Sequence, residues 1–405
     1  METVDILIKN ANELITLKGP NKPRTKKEMS NLSIIKKGSI AIKNGVIVET
    51  GKNLKYKAKK VIDVSGKTVM PGFVDPHTHL VFAGSREFEL DWKLQGLSYM
   101  DILQRGGGIT YTVKETRKAK DADLLKQSRI CLDNMLRFGT TTCEAKSGYG
   151  LNTETELKIL KTIKKLNNTH LIDIIPTFLG AHAIPKDKTT SEYVDLLINE
   201  MIPKIKGLAK FCDVFCEKGV FTPSQSKKIL EAGKKHGLIP KIHADEIVDT
   251  DGAALSAEIG AISADHLLMS NDKGLKLMAK KGVIGVMLPG TPFSLMMKGY
   301  APARKIIDFG IPVAIATDLN PNCWIENMQF IIQLACLNMK MTPAEAICAA
   351  TYNAACSIGV NDFVGSLEKG KAADIIILDI PNHQFLPYHY GVNLVETVIK
   401  KGTIV

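Results

Sequence analysis

His77 and His79 stand two residues apart, just after an apolar run from Val69 to Val74 that stops at Asp75-Pro76. On an extended chain, residues two apart point to the same side. Both imidazoles can then aim at one point, and a shared transition metal is the usual reason for that arrangement. A solvated turn is the plainer alternative.

The same residue types recur where later apolar runs end. One run ends in Leu179-Gly180-Ala181-His182, another in His243-Ala244-Asp245-Glu246, a third in Asp265-His266 and a fourth in Thr317-Asp318-Leu319-Asn320. With His77 and His79, five of the chain's nine histidines fall at such ends, a clustering that core histidines do not require. His77, His79, His243 and Asp318 form a candidate four-ligand set. Three neutral imidazoles and a carboxylate suit a cation such as Zn²⁺ or Fe²⁺. A catalytic metal of this kind keeps a position for water and lowers its pKa to about 7. Glu246, three residues past His243, is placed to carry a proton between water and a ring nitrogen. His266 is a candidate for orienting the water or supporting charge on an attacked oxygen. Taken singly, each has a plainer reading: a buried hydrogen-bonded His243, a capping Asp318, a surface Glu246, a structural His266.

These residues need a scaffold that brings strand ends together. Eight strands are predicted in the middle of the chain: 69–74, 140–144, 172–178, 214–217, 240–243, 261–264, 283–288 and 312–316. Amphipathic stretches such as 154–165, 191–205 and 225–236 lie between them. Eight alternating units predict a (β/α)8 TIM-like barrel, whose chemistry sits at the strand C-termini. A doubly wound open sheet is the structural alternative. Both chain ends read as short strands: 4–8, 13–17, a hairpin around Asn44-Gly45, 60–64, 373–378 and 394–399 with a turn at Lys401-Gly402. The predicted organisation is a small β-sandwich domain from residues 1–68 and 360–405, with the barrel spanning 69–359. Gly106-Gly107-Gly108 lacks the strand-to-helix setting of a dinucleotide loop.

Composition bounds the partners. The chain has 405 residues, 45% hydrophobic and 23% charged, enough for one large domain or two smaller ones. Its net charge of +11 is spread over scattered lysine pairs without interleaved aromatics, which reads as a solvated surface and not a nucleic-acid site. None of the eight cysteines forms a Cys-x-x-Cys pair, and buried free thiols are expected. No apolar run reaches the ~18 residues of a membrane span, and the start does not read as a signal peptide. A cytoplasmic protein is the expectation.

The run Pro71-Gly72-Phe73-Val74-Asp75-Pro76-His77-Thr78-His79 resembles the first metal motif of the amidohydrolase superfamily. Gly365-Ser366-Leu367-Glu368-Lys369-Gly370-Lys371-Ala372-Ala373-Asp374 is similar to that superfamily's return into its β domain. Glu217 stands near the end of strand four, where binuclear members carry a bridging lysine, and this favours one metal. Within the superfamily the chain resembles the imidazolonepropionases of histidine degradation, over nearly its whole length. The matching runs are 79–86, Gly106-Gly107-Gly108-Ile109, 144–151, Phe178–His182, His243–Glu246 and Asp318–Pro321.

That resemblance implies hydrolysis of the cyclic amide of 4-imidazolone-5-propanoate to N-formimino-L-glutamate. It implies that His77, His79, His243 and Asp318 hold one Zn²⁺ or Fe³⁺ per subunit, and that Asp318, Glu246 and His266 serve the chemistry. Arg86, Tyr149, His182 and Glu246 would hold the anionic imidazolone, with Tyr99 nearby. Asn320, Asn322 and Cys323 would face the product, although the family usually has Gly then Ser or Thr where Asn322 and Cys323 stand. A homodimer is implied as well. One alternative is a deaminase or cyclic amidohydrolase acting on another heterocycle; Arg86 speaks for an anionic substrate instead, because a guanidinium fork matches a carboxylate. A second alternative, a non-catalytic assembly protein, has no need of the complete ligand set.

Overall fold

The computed structural model describes residues 2–97 and 99–405, with the backbone alone at 99, 100 and 103. Among these residues, sixteen strands form two eight-stranded sheets. The chain opens with β1 (Thr3–Ile15), β2 (Ile34–Lys43), β3 (Val46–Lys52), β4 (Lys57–Asp63) and β5 (Thr68–Pro71). Next come β6 (Phe73–Asp75), β7 (Thr140–Lys146), β8 (Asp173–Ala181) and β9 (Phe211–Cys216). They are followed by β10 (Ile239–Ala244), β11 (Ser263–His266), β12 (Ile284–Met287) and β13 (Val313–Ile315). The last three are β14 (Ile375–Leu378), β15 (Val395–Lys400) and β16 (Thr403–Ile404).

Both chain ends build the first, mixed sheet, in the order β16-β15-β14-β5-β1-β2-β3, with β4 beside β1. Asn44-Gly45 joins β2 to β3 as expected. Both residues have positive φ, 52° and 76°, the conformation that a two-residue hairpin turn demands and that Asn-Gly tolerates. The two strands expected at 4–8 and 13–17 are instead one long β1. Its pairing with β2 shifts between Ile8 and Ala11, and Asn10 takes φ 65° there. The Asn-rich signal marks a bulge, not a turn.

The second sheet is the predicted barrel. Strands β6 to β13 lie in sequence order and pair in parallel. Beyond β13 the backbone returns to the first strand: Asp318 N–H donates to His77 O at 3.1 Å, and His79 N–H to Leu319 O at 2.8 Å. Helices such as Thr153–Thr169, Pro223–Lys235 and Asp272–Lys281 lie between successive strands. Strand alternation sorts the residues. On β10, Ile242 and Ala244 join the main apolar core, while Lys241 and His243 belong to the polar set at the site.

The run at 69–74 does not form one barrel strand. Residues 68–71 pair with β1 and β14, and residues 73–75 pair with β7. The change of sheet falls at Gly72. Its N–H donates to Asp374 O at 3.0 Å, and a Cβ there would lie 2.4 Å from the Thr141 side chain. We expect Gly72→Ala to destabilise by about 1–3 kcal/mol through this overlap. A urea midpoint equal to wild type would show that Thr141 yields freely.

Candidate active site

The barrel's strand ends bring the sequence-predicted residues together. His77 and His79 follow β6, His243 lies on β10, His266 closes β11 and Asp318 follows β13. All five are buried. Asp245, His266, Leu267 and Asp318 take positive φ, between 53° and 76°. Non-glycine residues adopt that region at a cost, and such residues cluster at functional sites.

One nitrogen from each of His77, His79 and His243 lies within 4.8 Å of the others. Nε2 of His77 and Nε2 of His79 are 3.5 and 3.4 Å from Asp318 Oδ1. A tetrahedron with ~2.1 Å bonds has edges of about 3.4 Å, so these spacings fit ligands around one ion. Among the described residues, His77 Nε2, His243 Nε2 and Asp318 Oδ1 are buried without a hydrogen-bond partner. Orphaned polar atoms facing one point are what a cation would satisfy. Burial, helped by the Lys146 charge, holds His77 well below the usual imidazole range; burial, with neighbouring His182, does the same for His79. Both are therefore neutral, the form that binds a metal. The donor set fits one metal ion.

Carboxylates orient the imidazoles from behind. His77 Nδ1 donates to Asp265 Oδ2 at 2.6 Å, which leaves Nε2 with its lone pair. His243 Nδ1 lies 3.0 Å from Asp213 Oδ2. Asp75, itself buried, takes the Thr317 N–H and hydroxyl at 3.1 and 2.6 Å, fixing the approach to Asp318. Thr291 Oγ1 donates to Asp318 Oδ2 at 2.5 Å.

Beneath them lies a charged network that the sequence reading missed. Lys146 Nζ is 2.7 Å from Asp213, 2.9 Å from Glu144 and 3.6 Å from Asp265. Lys241 Nζ is 2.9 Å from Glu144 and 3.8 Å from Asp265. All five side chains are fully buried. Burial disfavours the Lys146 ammonium, but the three carboxylates outweigh it and hold its pKa above the usual lysine range. His77, Glu144 and Asp265 also lie close enough to suggest a second metal position. Both of those carboxylates already face the two ammonium groups, which supply the positive charge there. The signal available in the sequence was charge inside short apolar strands, such as Asp213 on β9 and Lys241 on β10. Buried charge of that kind persists only when paired.

Glu217 has a different role from the metal bridge whose place it takes. Its carboxylate accepts the N–H groups of Ile247 and Val248 at 2.9 and 3.3 Å, which anchors the loop carrying Glu246. Glu246 Oε2 lies 3.6 Å from His266 Nε2. Burial, then the charges of Asp318 and Glu217, push the Glu246 carboxyl up to about 8. A group that gives and takes a proton near neutral pH needs a pKa in that region.

A cavity of about 700 Å³ opens above the ligand set, lined by Arg86, Tyr149, His182, Glu246, Asn320 and Asn322 among others. His182 stacks on His79 with ring centroids 4.8 Å apart. Its Nδ1 faces the Gly148 carbonyl at 3.1 Å, so Nδ1 carries the hydrogen and Nε2 is an acceptor. Burial pushes the ring down to about 3, which keeps it neutral. The Tyr149 ring lies 5.3 Å from that of His182. Cys323 departs from its expected place: it is buried beneath the turn at Asn320, its N–H donating to Asn320 O at 3.1 Å, and its thiol meets Ser294 and the Thr317 carbonyl. Tyr99 begins the helix Tyr99–Gln104, but its side chain lies outside the described residues.

The amidohydrolase family profile matches residues 68–405. An imidazolonepropionase of Alkaliphilus metalliredigens is 52% identical over 413 residues, covering 99% of this chain and 98% of that one. The imidazolonepropionase of Geobacillus kaustophilus is 52% identical over 414 residues, covering 99% and 97%. Among solved structures, a Klebsiella pneumoniae 5-methylcytosine deaminase matches with TM-score 0.76 at 18% identity, covering 98% of this chain and 97% of that one. A Xanthomonas campestris adenosine deaminase with bound zinc matches with TM-score 0.72 at 18% identity, covering 100% and 93%. Those two likenesses concern the fold. The sequence match extends over essentially the whole chain, and with it the chain belongs to the imidazolonepropionase family of the amidohydrolases.

Proposed function

We propose that this chain hydrolyses the ring amide of 4-imidazolone-5-propanoate to N-formimino-L-glutamate, a step of histidine degradation. The observation that carries the reading is one cavity with orphaned His and Asp donors at its floor and cationic side chains on its wall. That arrangement suits a heterocycle with a remote carboxylate.

His77, His79, His243 and Asp318 would hold one Zn²⁺ or Fe³⁺. When bound, such an ion supplies Lewis acidity, which acidifies water and polarises a carbonyl. The chain's own residues supply the rest. Asp265 and Asp213 keep the His77 and His243 rings turned toward the ion position. Glu246 takes a proton from the attacking water at its carboxylate and delivers it to the departing ring nitrogen. His266, 3.6 Å from Glu246, supports the charge that develops on the attacked carbonyl oxygen. Tyr149 and His182 hold the ring above His79. Ring opening adds one water and releases no ammonia.

The test is to follow the ultraviolet absorbance of imidazolonepropionate and weigh the product by mass spectrometry. Loss of absorbance with a product one water heavier is expected. Intact imidazolonepropionate, with ammonia released instead from an amino-substituted heterocycle such as a cytosine, would assign the site to deamination.

A further inference from the structure

A carboxylate substrate needs uncompensated positive charge where it docks, and Arg86 does not provide it alone. Its Nε and Nη2 donate to the two oxygens of Glu89 at 2.7 and 2.8 Å. Glu89 is buried and also accepts the Gly108 N–H at 2.7 Å. The Arg86–Glu89 unit is therefore a neutral, rigid pair, with only the terminal edge of the guanidinium left to donate.

Lys93 stands one helical turn beyond Glu89 on the helix Phe88–Leu94 and lines the same cavity. Its Nζ donates to Asn322 Oδ1 at 2.6 Å, a partner 229 residues away in sequence. Asn322 carries no charge, and among the described residues Lys93 forms no ion pair with an acid. Half-burial, with the Arg86 charge beside it, holds the Lys93 ammonium below the usual lysine range, although Glu89 pulls the other way. An anion entering the cavity would relieve both. Together, Arg86, Glu89 and Lys93 leave one net positive charge, the complement of one carboxylate.

We propose that Lys93, held in place by Asn322, supplies the net positive charge that receives the substrate's carboxylate beside the free edge of the Arg86 guanidinium, whose own charge Glu89 balances. This assignment rests on the anionic imidazolone reading above.

The test compares wild type, Lys93→Met, Lys93→Arg and Asn322→Ala in the metal-loaded protein. Two substrates are used: imidazolonepropionate and 5-ethyl-4-imidazolone, which lacks the carboxylate. Lys93→Met should raise KM for imidazolonepropionate by about 10- to 100-fold with kcat within about 3-fold, the signature of a lost charge-assisted contact made equally in ground and transition states. Lys93→Arg should recover most of that loss, and Asn322→Ala should reproduce part of it. The neutral analogue should not distinguish wild type from Lys93→Met. Calorimetric binding of imidazolepropionate, which cannot be opened, should weaken with salt in wild type and respond much less in Lys93→Met. A wild-type KM in Lys93→Met, or equal losses on both substrates, would overturn the assignment; an unchanged KM in Asn322→Ala would overturn the holding role of Asn322. If wild type itself leaves imidazolonepropionate intact, it is the functional reading that fails, whatever the variants do.

Discussion

Glu246→Gln should lower kcat on imidazolonepropionate by about 10²- to 10⁴-fold while leaving the bound metal in place. Gln keeps the shape and the buried position but cannot give or take the proton. Glu246 lies outside the ligand set and meets His266 at 3.6 Å. Its anchoring loop is held by Glu217, which the substitution does not touch. Steady-state kinetics and elemental analysis on the same preparation check both halves. Turnover within a few-fold of wild type would mean that another group moves the proton. Loss of metal along with activity would mean that Glu246 belongs to the metal's support.

Lys146→Met should cost about 3–5 kcal/mol of stability, the scale seen when one partner of a buried ion pair is removed. Its ammonium is shared among Asp213, Glu144 and Asp265, all without solvent. Removing it leaves those carboxylates facing one another with Lys241 as the remaining cation. Asp213 and Asp265 also orient His243 and His77, so metal affinity should fall by about 10- to 100-fold. Lys227→Met is the contrast. Lys227 pairs with Glu258 at 2.6 Å, but both are exposed, and solvent screens such pairs. The two variants are compared by urea denaturation and by metal retention against a competing chelator. If Lys146→Met unfolds and holds metal like Lys227→Met, the network does not support the metal centre.

The parts of the site that sequence made legible were those fixed by short-range geometry. His77 and His79 are two residues apart at a strand end, and extended chain alone puts them on one side. His243, Glu246, His266 and Asp318 were reachable because eight alternating units imply a barrel, and a barrel gathers its strand ends. What stayed hidden depends on partners far away in the chain. The sheet change at Gly72 is set by Asp374 and Thr141, neither of which the local apolar run reveals. The Lys146–Asp213–Asp265 network joins three strands, and each charge by itself reads as ordinary polar alternation. Lys93 looks like one more surface lysine until Asn322 meets it. The guanidinium fork of Arg86 suits a carboxylate, yet Glu89, only three residues on, takes its Nε and Nη2 donors. Arg86 stands just before the helix Phe88–Leu94 and Glu89 lies in its first turn, so helical spacing alone does not reveal that pairing.

The central claim is that four strand-end donors hold one metal ion on which ring opening depends. The most direct measurement strips the protein with a chelator, returns Zn²⁺ or Fe³⁺ in steps, and records imidazolonepropionate hydrolysis at each step. Activity should be absent in the stripped protein, rise linearly and stop rising at one equivalent per chain. A break at two equivalents, or full activity without added metal in protein shown by elemental analysis to be stripped, would contradict the account.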